Sequence, residues 1–184
     1  RSYSSAASDV YKRQGEGAHE RVEHMQKIRA LQETSMKTHG HGFTSFIAWP
    51  VQLEVNSFGR RNRGQNKHEL GAGPSEYLRH VAVSRLFLDN VEHIQASWPT
   101  MGMAVAQMAL LAGADDAGST MMEENVVSAS GTSKLDATEH ELQSSIVRAG
   151  FSPQRRDSDY NPLATKRLVG DVSSLASPPP VITS

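Results

Sequence analysis

The sequence predicts an α/β chain of about three parallel strands with helices between them, and the order of its elements carries that expectation. Stretches with helical periodicity alternate with short apolar or β-branched runs, in the order helix, strand, helix, strand, helix, strand, helix. In such an alternation each strand is joined to the next by a helix, which implies parallel pairing with right-handed crossovers. Three strands are too few to close a barrel; with sequence expected to be missing ahead of Gly15, half of a barrel is the natural inference. The chain then ends in a Ser/Pro-rich tail.

Each element follows from its residues. Ala18 to Thr34 is predicted helical, because Val22, Met25, Ile28, Arg29 and Gln32 step by three and four with charges between them. Lys37 to Gly42 reads as a Gly/His loop. Phe43 to Trp49 (FTSFIAW) ends at Pro50 and reads as a buried strand. Glu54 to Gly73 is polar and glycine-containing, a long solvated loop of the kind that is often functional. Gly73-Pro74-Ser75-Glu76 opens a second helix that ends near Asn90. In it Leu78, Ala82 and Leu86 stack at i+4, as do Tyr77 and Val81. Ile94 to Trp98 (IQASW) is a short strand bounded by Pro99, with Gln95 and Ser97 on one face and Ala96 and Trp98 on the other. Met101 to Leu111 is a third helix closed by Gly113, its methionines read as core packing. Ala117 to Met121 reads as a brief buried strand. Thr138 and Glu141 form a capping box for a last helix whose inner face is Leu142, Ile146 and Val147, and Ala149-Gly150-Phe151 stops it as a Schellman end would. Beyond Leu163 the run SSLASPPPVITS is expected to be disordered.

Composition removes several function classes. The 184 residues carry 19 basic and 20 acidic side chains, a net charge of -1, which argues for neither nucleic acid nor an anionic membrane as partner. No apolar run is long enough to span a bilayer. The cysteine count is zero, which excludes disulfides and any thiolate-ligated metal site built by this chain alone. The eight histidines are scattered, and no metal site is expected. A hydrophobic share of 38% with 6% aromatics is thin for a self-sufficient core of this length.

The first residues are expected to have a separate origin. Ser4 to Gln14 (SSAASDVYKRQ) equals the translation of a sequencing-library transposon adapter, its mosaic end encoding Asp9 to Gln14. The expected organisation is therefore adapter-derived sequence over 1–14, a half-barrel domain over 15–162 and the tail over 163–184.

Candidate site residues cluster behind the third strand. Glu123, Glu124 and Asn125 follow it directly, and strand ends that deliver clustered carboxylates commonly line sites in α/β folds. The same residues also suit a helix N-terminus, with Ser119 or Thr120 as cap and the two glutamates in the first turn. Gln95 and Ser97 suit a ligand at a barrel interior or a hydrogen-bonded core pair. Arg155 and Arg156, near Tyr160, can meet a carboxylate, although a solvated basic turn is the simpler reading.

The segments GEGAHERVEHMQKIRALQ, GFTSFIAWP, EYLRHVAVSRLFLDNVEHIQASW, GADDAGSTMMEENVVSASG and RAGFSPQRRDSDYN resemble the C-terminal half of the cyclic dehypoxanthinyl futalosine synthase family. That family belongs to the radical S-adenosylmethionine superfamily and serves menaquinone biosynthesis by the futalosine route. The resemblance runs nearly unbroken from Gly15 to Asn161, and STMMEENVVSASG is its most specific piece. Aminofutalosine synthase is similar more loosely, since it typically has Thr-Val-Val-Glu-Glu where this chain has Thr120-Met121-Met122-Glu123-Glu124. The deazaflavin (FO) synthase subunits are further relatives, and a non-catalytic α/β binding module is the reading from another class. The resemblance implies a partial TIM-type barrel, a 4Fe-4S cluster and S-adenosylmethionine. It also implies a nucleoside-derived small-molecule substrate, an external electron donor and a cytoplasmic location. Glu16 matches a family position that can contact S-adenosylmethionine, and it equally suits a plain helix N-terminal acid; from their own placement, Gln95, Ser97, Ser119, Thr120, Glu123, Glu124 and Asn125 are the substrate-binding candidates. The family holds its cluster on a CxxxCxxC loop, and this chain has no cysteine to match it. The piece alone is therefore expected to bind neither cofactor stably and to be inactive.

Overall fold

Two parallel three-residue strands form the centre of the described structure. β1 (Ser45–Ile47) pairs with β2 (His93–Gln95) in the register Ser45↔His93, Phe46↔Ile94, Ile47↔Gln95. The structure is a computed structural model that describes residues 17–51, 73–120 and 137–164. The third strand expected at 117–121 contracts to a single parallel bridge, Gln95↔Asp116. Ala96 donates to the Asp116 carbonyl at 2.8 Å, and Gly118 then turns the chain away at φ 84°. A left-handed glycine inside the expected run ends the pairing before it extends. The architecture is thus a mixed helix and strand fold with a small parallel sheet. Glu54–Gly73 lies largely outside the described residues, as do Arg1–Gln14, Met121 and the tail beyond Ala164.

Helix α1 (Ala18–His39) runs five residues past the expected Thr34. Nothing from Ser35 to His39 breaks a helix, and the stop is Gly40 in the left-handed conformation at φ 72°, its N–H on the Met36 carbonyl. Met25 and Gln32 are its buried positions, whereas Val22 stays 39% exposed against expectation. Gln32 explains how a polar residue is buried. Its Nε2 donates to the carbonyls of Phe43 (2.9 Å) and Asn90 (3.1 Å), and its Oε1 accepts from Phe43 N at 2.6 Å. Gly42 leaves room for that clamp, since a Cβ there would stand 2.2 Å from Gln32 Oε1.

Helix α2 (Pro74–Phe87) begins with Gly73 as N-cap and Pro74 at the first position, as its sequence indicates, and stops three residues before Asn90. It turns Tyr77, Val81 and Ser84 inward, while Leu86 is 81% exposed. The Leu78–Ala82–Leu86 stack is therefore not the inner face, although Leu78 packs beside it. Sequence periodicity offered two adjacent stripes, and packing against Met25, Leu88 and Ile94 selects the Tyr77 stripe. An ion pair between Arg21 and Glu76 ties α1 to the first turn of α2.

Trp98 departs from the strand reading. It opens the one-turn helix α3 (Trp98–Met101), with Pro99 inside the turn where its missing N–H costs nothing. Gly102, at φ 79°, separates α3 from α4 (Met103–Leu111), so the third helix starts two residues later than expected. Gly113 follows the α4 C-cap Ala112, as the sequence suggests. Helix α5 (Glu139–Arg148) carries both halves of the expected capping box on Thr138 and Glu141. At its end Phe151 donates to Ile146 O and Gly150 to Val147 O, the two bonds of a Schellman motif. A short antiparallel hairpin follows, β3 (Arg155–Arg156) with β4 (Pro162–Leu163), which the sequence had not indicated.

The two faces of the parallel sheet differ. Phe46, Ile94 and Ala96 face the apolar core with Met25, Tyr77, Val81, Leu88 and Val91. Alternation turns Ser45, His93, Gln95 and Asp116 to the other side, which is polar.

Candidate functional site

The polar face is organised by adjacent aspartates, Asp115 and Asp116. Gly113 ends α4 in a conformation at φ 116° that packs against Arg85, and the chain passes straight into them. Asp115 Oδ1 accepts from Ile94 N at 2.8 Å and from Arg85 Nη2 at 2.5 Å, while its Oδ2 meets His93 Nδ1 at 2.8 Å. Arg85 also donates to Gly113 O (2.7 Å) and Glu92 O (3.1 Å), so one guanidinium from α2 braces the strand entry.

Asp116 is only 8% exposed and takes three donors. Its Oδ1 accepts from Gly118 N at 2.9 Å. Its Oδ2 accepts from Arg156 Nη2 at 2.5 Å and from the Tyr160 hydroxyl at 2.7 Å. A buried carboxylate is stable only with such compensation. The Tyr160 ring stacks on His93 with centroids 4.1 Å apart and planes 9° from parallel, and the Arg156 guanidinium lies 3.9 Å from the Tyr160 centroid. Burial pushes the Tyr160 phenol up to about 12. The Ser45 hydroxyl pulls the other way, Asp116 adds to the rise through its hydrogen bond and charge, and Arg156 opposes it. Tyr160 therefore stays a proton donor at neutral pH. Burial works against the charge on Arg156, but the hydrogen bond and charge of Asp116 outweigh it and raise its pKa.

The hairpin loop delivers Tyr160. Asp157 Oδ1 accepts from Asp159 N and Asn161 N, both at 2.9 Å, and its Oδ2 from Asn161 Nδ2 at 3.0 Å. These bonds fold Asp157 to Asn161 into a turn. The hydrogen bonds from the Asn161 side chain and backbone hold the Asp157 carboxyl below its usual range. So the Arg155–Tyr160 stretch is not a solvated basic turn. Arg155 pairs with Glu139 at 3.2 Å, and Arg156 is largely covered on Asp116.

The candidates from sequence fall in different places. Gln95 lies on the polar face beside Asp116, at the carboxyl end of β2. Ser97 is wholly buried, its N–H on the Tyr77 hydroxyl at 2.8 Å and its Oγ 2.6 Å from Thr100 Oγ1. Ser119 and Thr120 are exposed just past the Gly118 turn. With His93, Asp116, Arg156 and Tyr160 they line a cleft of about 600 Å³ between the sheet, α5 and the hairpin. Glu16, Glu123, Glu124 and Asn125 lie outside the described residues. Sequence reasoning missed His93, Asp115, Asp116 and Arg85. The available signal was the Asp-Asp pair set off by one residue from the helix-closing Gly113 and standing directly before the expected strand. Among the described residues no group of three metal-ligating side chains converges, and no helix is long and apolar enough to cross a membrane.

Residues 40–168 match the family model described as CofH/MqnC C-terminal region. The chain is 42% identical over 151 residues to a cyclic dehypoxanthine futalosine synthase of Halalkalibacterium halodurans, a match that covers 82% of this chain and 37% of the relative. It is 39% identical over 172 residues to the enzyme of the same name from Streptomyces coelicolor, covering 88% of this chain and 40% of the relative. An aminodeoxyfutalosine synthase of Thermus thermophilus is 36% identical over 142 residues, 77% of this chain and 36% of the relative. The chain thus spans about two fifths of the length of these relatives. With a family model covering well over half of its residues, the chain belongs to the CofH/MqnC C-terminal region family.

Proposed function

We propose that this chain is the substrate-side portion of a radical S-adenosylmethionine enzyme that cyclises dehypoxanthine futalosine in menaquinone biosynthesis. The observation that carries the reading is the 42% and 39% identity to two cyclic dehypoxanthine futalosine synthases over 82% and 88% of this chain. The aminodeoxyfutalosine synthase match is lower in identity and in coverage. The chain has no cysteine, so it does not fit a 4Fe-4S cluster, and the thiolates belong to sequence outside these 184 residues. An external electron donor and S-adenosylmethionine belong to that whole enzyme.

What this chain's own residues contribute is orientation. Carboxyl ends of parallel strands are where barrels of this type build their sites. Gln95 ends β2 there, with the Gly118 turn and exposed Ser119 and Thr120 beside it. A carboxamide offers both donors and an acceptor to a ribose diol. Glu123, Glu124 and Asn125 follow in sequence and complete the proposed substrate set, with Glu16 toward the cofactor.

The test is to recover the full-length reading frame, reconstitute it anaerobically with iron, sulfide and reductant, and supply dehypoxanthine futalosine. Cyclised product is the expected outcome. Turnover only of the aminodeoxyfutalosine synthase substrates would assign the sister activity, and cleavage of S-adenosylmethionine with no product from either would refute both.

A further inference from the structure

Tyr160, at φ 64°, is the one non-glycine residue with positive φ among the described residues. For an aromatic side chain such a conformation is strained and persists only where the surroundings over-determine it. Here they do so from three sides: the hydroxyl on Asp116, the ring on His93, and Arg156 over the ring. Arg156 shares the Oδ2 acceptor with Tyr160, while Oδ1 of the same carboxylate holds Gly118 N. At Gly118 an added Cβ would stand 3.0 Å from Gln95 Nε2 and 3.5 Å from Trp98 Nε1. One buried carboxylate therefore connects the hairpin to the turn that lies against Gln95.

We propose that Tyr160 and Arg156 are positioning residues for the substrate end of the sheet, acting through Asp116 on the Gly118 turn and hence on Gln95, Ser119 and Thr120. The proposal rests on the reading above, in which those three residues meet the substrate. Tyr160 and Arg156 line the same cleft as Ser119 and Thr120, and their bonds reach the turn through Asp116. Tyrosine supplies a neutral donor and a flat ring for His93, and arginine a fixed fork. Neither lysine nor phenylalanine reproduces the pair.

The experiment uses the full-length enzyme with Tyr160→Phe, which keeps the stacked ring, and Arg156→Lys, which keeps the charge. Each is expected to speed amide hydrogen exchange across residues 116–120 roughly tenfold, the weight of one hydrogen bond to a charged group. Each should also lower cyclised product per 5′-deoxyadenosine formed by about the same factor, with the KM for S-adenosylmethionine unchanged. Wild-type exchange over 116–120 in both variants overturns the proposal whatever the activity. Faster exchange with an unaltered product ratio overturns it too, because the turn would then be structural only. Absence of cyclase turnover in the unsubstituted enzyme counts against the functional reading instead, and the exchange measurement still decides whether these two residues hold the turn.

Discussion

Asp116 shows how much can hang on one side chain. It is paired by backbone to β2, by Oδ1 to the turn after it and by Oδ2 to the hairpin. Its partner Tyr160 makes the arrangement sensitive to alkali. The phenol carries a pKa of about 12 in the folded chain against 10.0 for the free side chain. Below pH 10 both folded and unfolded chains hold the proton, so the stabilisation is fully present. Between pH 10 and about 12 the unfolded chain releases it first, and stability falls as pH rises. Urea titrations across this window should show a steeper loss for the native sequence than for Tyr160→Phe; parallel curves would refute the assignment. At this scale the sequence was partly legible. A pair of arginines near a tyrosine was visible, but the carboxylate that receives Arg156 and Tyr160 is 40 residues away from Arg156. No local pattern announces a partner at that separation. For Gln32, likewise, periodicity gave the inward position, while the Phe43 and Asn90 carbonyls that satisfy it come from tertiary structure.

At the scale of elements, what is written in short-range chemistry was readable and what depends on pairing was not. The Gly73-Pro74 start of α2, the Thr138/Glu141 box and the Gly150 stop all appear where their residues indicate. Each is a contact between residues at most five apart. The third strand failed because strand extent is set by the neighbour's register and by Gly118, not by the apolar run itself. The hairpin was missed because its strands are two residues each and its turn is built from Asp157 side-chain bonds. The capping box supplies the test at this scale. Thr138→Ala removes the hydroxyl that accepts from Glu141 N at 3.2 Å, and should cost about 1 kcal/mol. Thr138→Ser should restore most of that. Chemical denaturation of the full-length enzyme measures both, and an alanine variant as stable as the native chain would show that α5 does not depend on its cap.

At the scale of the whole molecule the balance of buried and open surface decides how the chain behaves by itself. The core groups Phe46, Ile94 and Ala96 with side chains from α1, α2 and α4, and it is small. Among the described residues β1 pairs only with β2, so its other edge presents unpaired backbone groups. Leu86, Leu111 and Met108 are 81%, 66% and 53% exposed, a cost that a self-contained domain usually avoids. The relatives are more than twice as long, since the matched 82% and 88% of this chain make up 37% and 40% of them. Surface that is open here is therefore available to the length that this chain does not include. A chain that leaves an edge and several large apolar side chains in water retains secondary structure more readily than fixed packing. The 184-residue chain alone should accordingly show helical far-ultraviolet dichroism, strong binding of a hydrophobic dye and a broad heat transition that depends on protein concentration. The full-length protein should bind little dye and melt sharply. A sharp, concentration-independent transition from the isolated monomer, with no dye binding, would mean that the small core and the polar face close upon themselves, and the half-barrel account of this chain would then have to be abandoned.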